Sequence, residues 1–497
     1  MASLGAWLRL LGAGWTLVRN DALLPREIEP FLPGGARTLA GVLRLFAARR
    51  DGRPGERLAR SFERLGPVAI KLGQFLSTRS DIFGRVFAED LGHLKDRLPP
   101  FPTDVARAEV ERQLGRPTQA VFARFGDPVA AASLAQAHDA TLKDGRRVAV
   151  KVLRPGIEAR VMADCAALDL AGRLIERWVA PARRLEPMAF ARTVIRATEL
   201  ELDLRLEAAG ADELAEVMAA DGYMASPKVV WDGVGKRVLT MEWVEGMALS
   251  EDAALEQPGL DRKALADNLT RAFLAQALDK GVFHADLHEG NLFVAPPARL
   301  FAVDFGIIGR LGAMERRYLA EILWGFLRRD YIAVAQVHFD AGYVPAGHSV
   351  AAFAQALRAV GEPVFGRVAN AVAMSRVLTQ LFEITALYEM RLRPELVLLQ
   401  KTMVTVEGVA RRIDPAHDIW SAAEPVVRRW IARELSPISR VKRLAGEAES
   451  ALRNIARMTQ PQVAVAPEPA RSSNALLWFA LGALAAGSAF LLGVLFG

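Results

Sequence analysis

The spacing of apolar and polar residues changes character along the chain. Residues 1–100 carry helical spacing, interrupted at "LPGG" and at "LPPFPTD". From about residue 120 shorter apolar runs take over. The stretch "AAASLAQAHDATLKDGRRVAVKVL" holds two strand-like runs joined by "KDG", where Asp144-Gly145 is a strong hairpin-turn signal. The second run, "RRVAVKVL", is mostly apolar and rich in valine, as expected of a buried strand. Residues 157–220 return to helical spacing, and "KRVLTMEWVEG" predicts a further strand. After Gly246 the pattern is helical almost to residue 457, broken by strand-like pieces at "NLFV" and "LFAVDFG". The expected layout is a small β-rich lobe followed by a larger helical one. No fixed-period repeat is visible.

Composition adds a membrane to this picture. The 497 residues allow two or three folding units, and 52% of them are hydrophobic. The last 23, Ala475 to Gly497, carry no charge. At about 1.5 Å per helical residue they span roughly 35 Å, enough for a hydrocarbon core of about 30 Å. They follow a loose linker, "QPQVAVAPEPARSSN", and are expected to form a transmembrane anchor. Arg471 and the upstream "SRVKRLAG" place the bulk of the chain on the cytoplasmic side. At the other end, Arg9 interrupts the apolar run of "MASLGAWLRLLGAGWTLV", and no small-residue cleavage site follows. An amphipathic helix is expected there, packed on the fold or lying on a membrane. The net charge of +6, with no basic run interleaved with aromatics, argues against nucleic acid and favours a membrane surface. The single cysteine, Cys165, allows no internal disulfide and sits in an apolar helical pattern as a packing thiol.

Chemistry concentrates in "GVFHADLHEGNLFV", residues 281–294, where His284, Asp286, His288 and Asn291 fall close together. A histidine-ligated metal and a phosphoryl-transfer loop both fit locally. The order of the surrounding parts decides. Lys151 ends "VAVK", Asn291 follows Asp286 by five residues, and Asp304-Phe305-Gly306 follows the apolar "LFAV". That is the protein-kinase sequence of parts. Lys151 would neutralise the α and β phosphates of ATP, and Asn291 and Asp304 would supply oxygen ligands to Mg²⁺. Asp286 would accept a proton from, or orient, the attacking hydroxyl or water. His284 and His288 are then expected to hold the loop by hydrogen bonds. The glycine-rich loop of protein kinases is missing: "PVAAASLAQAH" has no glycine between Pro128 and His138. Alanine reaches positive φ only at a cost, so this loop should be stiffer and approach phosphates differently.

These motifs resemble the UbiB family of atypical kinase-like proteins, linked to ubiquinone biosynthesis. Its alanine-rich "AxASxAQxH" loop is met by Ala130, Ala132, Ser133, Ala135, Gln136 and His138. Its "KxGQ" signature is met by Lys71-Leu72-Gly73-Gln74, and its "ExD" element with a following glutamate by Glu201, Asp203 and Glu207. Leu287 and Glu289 stand where members often carry prolines. The resemblance implies an α+β, two-lobed protein-kinase-like fold with a C-terminal transmembrane helix. Its divisions are a helical N-terminal extension (1–117), an N-lobe (118–246), a helical C-lobe (247–457), a linker (458–474) and the anchor (475–497). It implies ATP or ADP with Mg²⁺, held by the alanine-rich loop, Lys151 and Glu207, with the adenine edge read near Glu242 to Val244. Asp286, Lys71, Glu201 and Asp203 form the implied catalytic group, with Lys71 closing the protein-substrate groove. The resemblance pairs Glu207 with Lys151 and sets Glu201 and Asp203 near Lys71, while the residues alone leave the two assignments exchangeable. Implied partners are membrane lipid, isoprenoid quinone precursors and quinone-biosynthesis proteins at a bacterial inner membrane.

Two other functions compete. "HADLHEGN" also resembles the "HGDxHxxN" loop of aminoglycoside and choline kinases, and a non-catalytic nucleotide-binding scaffold would keep the same outline. The KxGQ element and alanine-rich loop weigh against the first. Retention of Lys151, Asp286, Asn291 and Asp304 weighs against the second.

Overall fold

Helices lead, as the spacing predicts. The computed structural model describes residues 4–22, 45–47, 51–77, 85–92, 94, 99–178, 183, 186–365, 384, 387–390 and 394–434. Residues 1–432 form one compact unit, and the expected linker and transmembrane anchor lie outside the described residues. Among the described residues no helix is long and apolar enough to cross a membrane.

Helix α1 (Leu4–Arg19) is followed by α2 (Pro54–Leu65), α3 (Pro67–Ser77) and α4 (Arg85–Gly92). The last three pack around Ala59, Phe62 and Leu91. Gly73 lies inside α3 rather than at its end, and a Cβ there would stand 2.7 Å from the Phe62 ring. The glycine of the KxGQ element therefore permits close packing of α3 on α2. Helix α5 (Thr103–Leu114) and the turn Thr118–Val121 lead into the sheet.

Strands β1 (Phe122–Ala131), β2 (Ala135–Leu142), β3 (Arg147–Leu153) and β4 (Val238–Glu242) pair in that order, each antiparallel to the next. The hairpin at Asp144-Gly145 closes through Leu142 N–H to Arg146 O, with Gly145 at φ +88°. The alanine-rich stretch is two strands and a tight turn, not one run: Ala132 N–H donates to Ala135 O. Register fixes which side chains share a face. Ala137 stands opposite Lys151, so Val148, Val150, Val152, Gln136 and His138 point to the other side. That other face closes a small core with Val110, Phe122 and Val238.

Between β3 and β4 the chain makes α6 (Ile157–Trp178), α7 (Pro187–Leu200) and α8 (Leu204–Asp221). Helix α1 lies along α6, with Arg9 paired to Asp164. Ala6 and Val18 are buried, whereas Leu4, Leu8, Leu11 and Trp15 are more than half exposed. Cys165 is buried in α6, and burial pushes its thiol up to about 11, in keeping with a packing role.

After β5 (Met247–Ala248) comes α9 (Arg262–Ala275), capped by the Asp261 carboxylate accepting from Ala264 N–H. Strand β6 (Val282–His284) precedes the catalytic-loop sequence, and β7 (Leu292–Ala295) and β8 (Arg299–Ala302) follow it. Strand β9 (Ile308–Arg310) returns to pair with β6. Three-residue strands such as β6 and β9 are too short to give a periodic signal, and their pairing joins the HAD and DFG segments. The described helices that follow are α10 (Ala313–Leu327), α11 (Tyr331–Asp340), α12 (Val350–Phe365), α13 (Pro394–Ile413) and α14 (Ile419–Glu434).

Candidate nucleotide site

The site collects around two lysines. Lys151, on β3, donates to both oxygens of Glu207 on α8 at 2.7 and 2.9 Å, and its Nζ lies 3.6 Å from Asp304 Oδ2. Lys71, on α3, pairs with Glu201 at the C-terminus of α7. The alternative left open by the sequence is thus resolved in the geometry: Glu207 meets Lys151 and Glu201 meets Lys71. Burial alone would depress both ammonium groups. On Lys151 the charges of Asp304 and Glu207 outweigh it, and on Lys71 Glu201 does, helped by Asp286 and Asp304. Both lysines are held above the ordinary range and stay charged. Burial opposes ionisation of Glu201 and Glu207, so each carboxylate depends on its lysine.

Asp203 does not join this group. It caps α8 by accepting from Arg205 N–H and forms a bidentate pair with the Arg205 guanidinium at 2.8 and 2.6 Å. That guanidinium, with the backbone bond, holds its carboxyl below the ordinary range. The chain reverses between α7 and α8 around the buried Leu202, so residues 201 and 203 point to different places.

The catalytic-loop segment is stitched on both sides. Asp286 N–H donates to His284 Nδ1 at 3.1 Å, leaving Nε2–H to donate to Val303 O at 3.3 Å. Both ring nitrogens are used, so His284 has none to give a metal. Burial keeps the ring below its ordinary range, hence neutral, and it lies 5.3 Å from the Phe305 ring. His288 Nδ1 accepts from Gly290 N–H. Asn291 Nδ2 donates to Asp286 O at 3.0 Å, and among the described residues no donor reaches its Oδ1. Asp304 sits at φ +62° with half of its side chain exposed, Oδ1 accepting from Gly306 N–H. The Lys151 charge holds its carboxyl below the ordinary range. An uncommitted amide oxygen and an ionised, half-exposed carboxylate fit the oxygen-only donor set of Mg²⁺.

The alanine-rich turn divides its labour. Ala130 and Ala137 pair across β1 and β2 on the Lys151 side, while Ala132 and the buried Ser133 form the turn with Ala135. Arg154 clamps it, Nε donating to Ala132 O at 2.8 Å. No residue from Pro128 to His138 has positive φ, so the turn needs no glycine. Gln136 and His138, expected with the rest of the loop to hold nucleotide, lie on the opposite face from Lys151, so their side chains are turned away from it. The Gln136 amide is spent on both backbone groups of Phe101 and on His138 Nε2, and His138 Nδ1–H donates to Gly126 O. They brace the turn from behind. At the end of β4, Glu242 turns its carboxylate to Arg146 at 3.3 Å, Trp243 N–H donates to Arg147 O, and Val244 follows two residues beyond the strand.

Helix α13 supplies what no motif announced. Thr402 Oγ1 shares its proton between Leu398 O at 2.9 Å and Ala285 O at 3.2 Å, Lys401 Nζ lies 3.9 Å from Asp286 Oδ1, and Arg412 pairs with Glu289. Leu287 is fully buried. This loop is stiffened by a core side chain, Leu287, and by the ion pair of Glu289 with Arg412.

Comparison with known proteins bears on the family and the fold. The chain matches the ABC1 atypical kinase-like domain over residues 93–338 and the UbiB helical domain over residues 357–418. It is 40% identical to a probable protein kinase UbiB of Marinobacter nauticus, covering 91% of this chain and 84% of that one. It is 38% identical to the Pseudomonas paraeruginosa counterpart, covering 95% and 92%. Among solved structures, the Rv3197–erythromycin complex from Mycobacterium tuberculosis superposes with a TM-score of 0.50 at 23% identity, covering 79% of this chain and 98% of that one. The kinase-like arrangement of mixed helix and sheet expected from the motifs is present.

Proposed function

The chain belongs to the UbiB family of atypical kinase-like proteins, and from that premise we propose that it is a membrane-associated ATPase or small-acceptor phosphotransferase supporting ubiquinone biosynthesis. The observation that carries this reading is the Lys71–Glu201 pair, close enough to Asp286 and Asp304 to feel both charges. In this reading α3 lies on the side of Asp286 from which a protein substrate's hydroxyl would enter, and so favours water or a small acceptor.

In this reading Lys151, anchored by Glu207, neutralises the α and β phosphates, and backbone groups near Glu242 to Val244 meet the adenine. Asn291 Oδ1 and the Asp304 carboxylate hold Mg²⁺, which supplies charge neutralisation when bound. Asp286 accepts the proton as the attacking oxygen bonds to the γ-phosphorus and the bridge to ADP breaks. His284 fixes the backbone of Asp286, and so the aim of its carboxylate.

Two segments suit contact with lipid in this reading. The exposed Leu4, Leu8, Leu11 and Trp15 of α1, on a segment whose charged residues Arg9 and Arg19 are basic, suit the interfacial zone of an anionic bilayer. The uncharged Ala475–Gly497 suits its hydrocarbon core. A chain cut before residue 475 should leave membranes on carbonate washing. Retention there would make α1 an integral anchor instead.

The cellular role is tested by quinone profiling of a strain lacking the gene. Ubiquinone should fall, the wild-type gene should restore it, and Asp286→Asn should not. Full rescue by Asp286→Asn would remove catalysis from the account.

A further inference from the structure

We infer that Lys401 of α13 contacts the γ-phosphoryl group of the nucleotide and so distinguishes a triphosphate from a diphosphate at this site. The inference rests on the nucleotide reading above and concerns the cation at its reacting end. Lysines reach the cleft from three elements. Lys71 is committed to Glu201, and Lys151 is bonded to both oxygens of Glu207 with Asp304 at 3.6 Å. Lys401 is different. Its Nζ stands 3.9 Å from Asp286 Oδ1, beyond hydrogen-bond length, and its side chain is one-third exposed. Among the described residues no second carboxylate lies within 4.0 Å of it. An ammonium carries three donors, so its capacity is unspent.

Its place is set by rigid parts. The hydroxyl of the neighbouring Thr402 lies 3.2 Å from the carbonyl of Ala285, the residue before Asp286, and shares its proton with Leu398 O at 2.9 Å, so α13 packs directly against the loop there. Farther along the same helix, Arg412 pairs with Glu289, which closes the loop. A group on a helix pinned at two points to the catalytic loop keeps a fixed distance from Asp286. The attacking oxygen must lie within hydrogen-bond reach of Asp286, and the γ-phosphorus must lie next to that oxygen. A cation held about one atomic layer from Asp286 therefore falls beside the transferred group. Lys151, among Glu207 and Asp304, stands at the metal and at the inner phosphates. The negative charge that moves during transfer needs a partner at the outer end, and Lys401 is the side chain placed there.

The test is equilibrium binding of Mg·ADP and of a Mg-bound, non-hydrolysable β,γ-imido ATP analogue to the full chain in detergent or nanodiscs. Lys401→Met should weaken the triphosphate analogue roughly ten- to hundredfold, the size of one lost charged hydrogen bond. Mg·ADP binding should change by less than about twofold on the same scale, which also reports that the variant is folded. Lys401→Arg, keeping the charge, should recover most of the triphosphate affinity. Equal weakening of both nucleotides, or of neither, overturns the assignment. A wild-type chain that binds neither nucleotide fails earlier, sinking the nucleotide reading and this inference with it.

Discussion

Replacing Asp304 with asparagine is expected to abolish magnesium-dependent nucleotide binding while leaving the fold intact. Asp304 occupies the left-handed backbone region, at φ +62°, which asparagine tolerates about as well as aspartate. The amide oxygen can still accept from Gly306 N–H. What disappears is one charge in a cluster where Asp304 is a principal counterion of Lys151 and the better of two metal-ligand candidates. Loss of a charged oxygen ligand should weaken Mg·ADP on the order of 100-fold or more, the upper end of what supporting residues alone cost. In thermal-shift measurements the wild type should rise with Mg·ADP and Asp304→Asn should not. Equal rises in both would place the nucleotide elsewhere.

The parts of this site that short-range motifs announce were legible in the sequence, because each sits in or next to a short strand or turn with its own signature. Lys151, Asp286, Asn291 and Asp304 are of this kind. Gln136 and His138 were legible in part. The Asp144-Gly145 hairpin sets Ala137 against Lys151, so strand alternation alone turns their side chains to the far face. The pairing of Glu201 and Glu207 was not readable, because it depends on where α7 stops and α8 begins. Asp203 was misplaced for the same reason, its nearest partner being two residues away. Lys401, Thr402 and Arg412 left no trace. They act on a loop more than a hundred residues earlier, through packing of α13 that no local pattern encodes.

The Lys71–Glu201 pair should dominate both the stability and the selectivity of the site. Both side chains are mostly buried. Lys71→Met would leave Glu201 buried without a counterion, at a cost of about 3–5 kcal/mol, less whatever protonation of Glu201 recovers. Adding Glu201→Gln removes the orphaned charge and should return most of that stability, since replacing both members of a buried pair is often neutral. The double variant therefore separates the fold from the function. With the pair gone α3 loses its ion pair to α7 and keeps apolar contacts such as Phe75 on Phe190, and the weakened hold is expected to give larger hydroxyl substrates access to the space beside Asp286. The decisive measurement follows phosphate release from Mg·ATP, with membranes present, alongside label transfer to generic protein substrates. It uses the wild-type chain and Lys71→Met/Glu201→Gln. The wild type should release phosphate with little labelling of protein, and the double variant should lose turnover and gain labelling. Robust protein labelling by the wild type, unchanged in the double variant, would contradict the account.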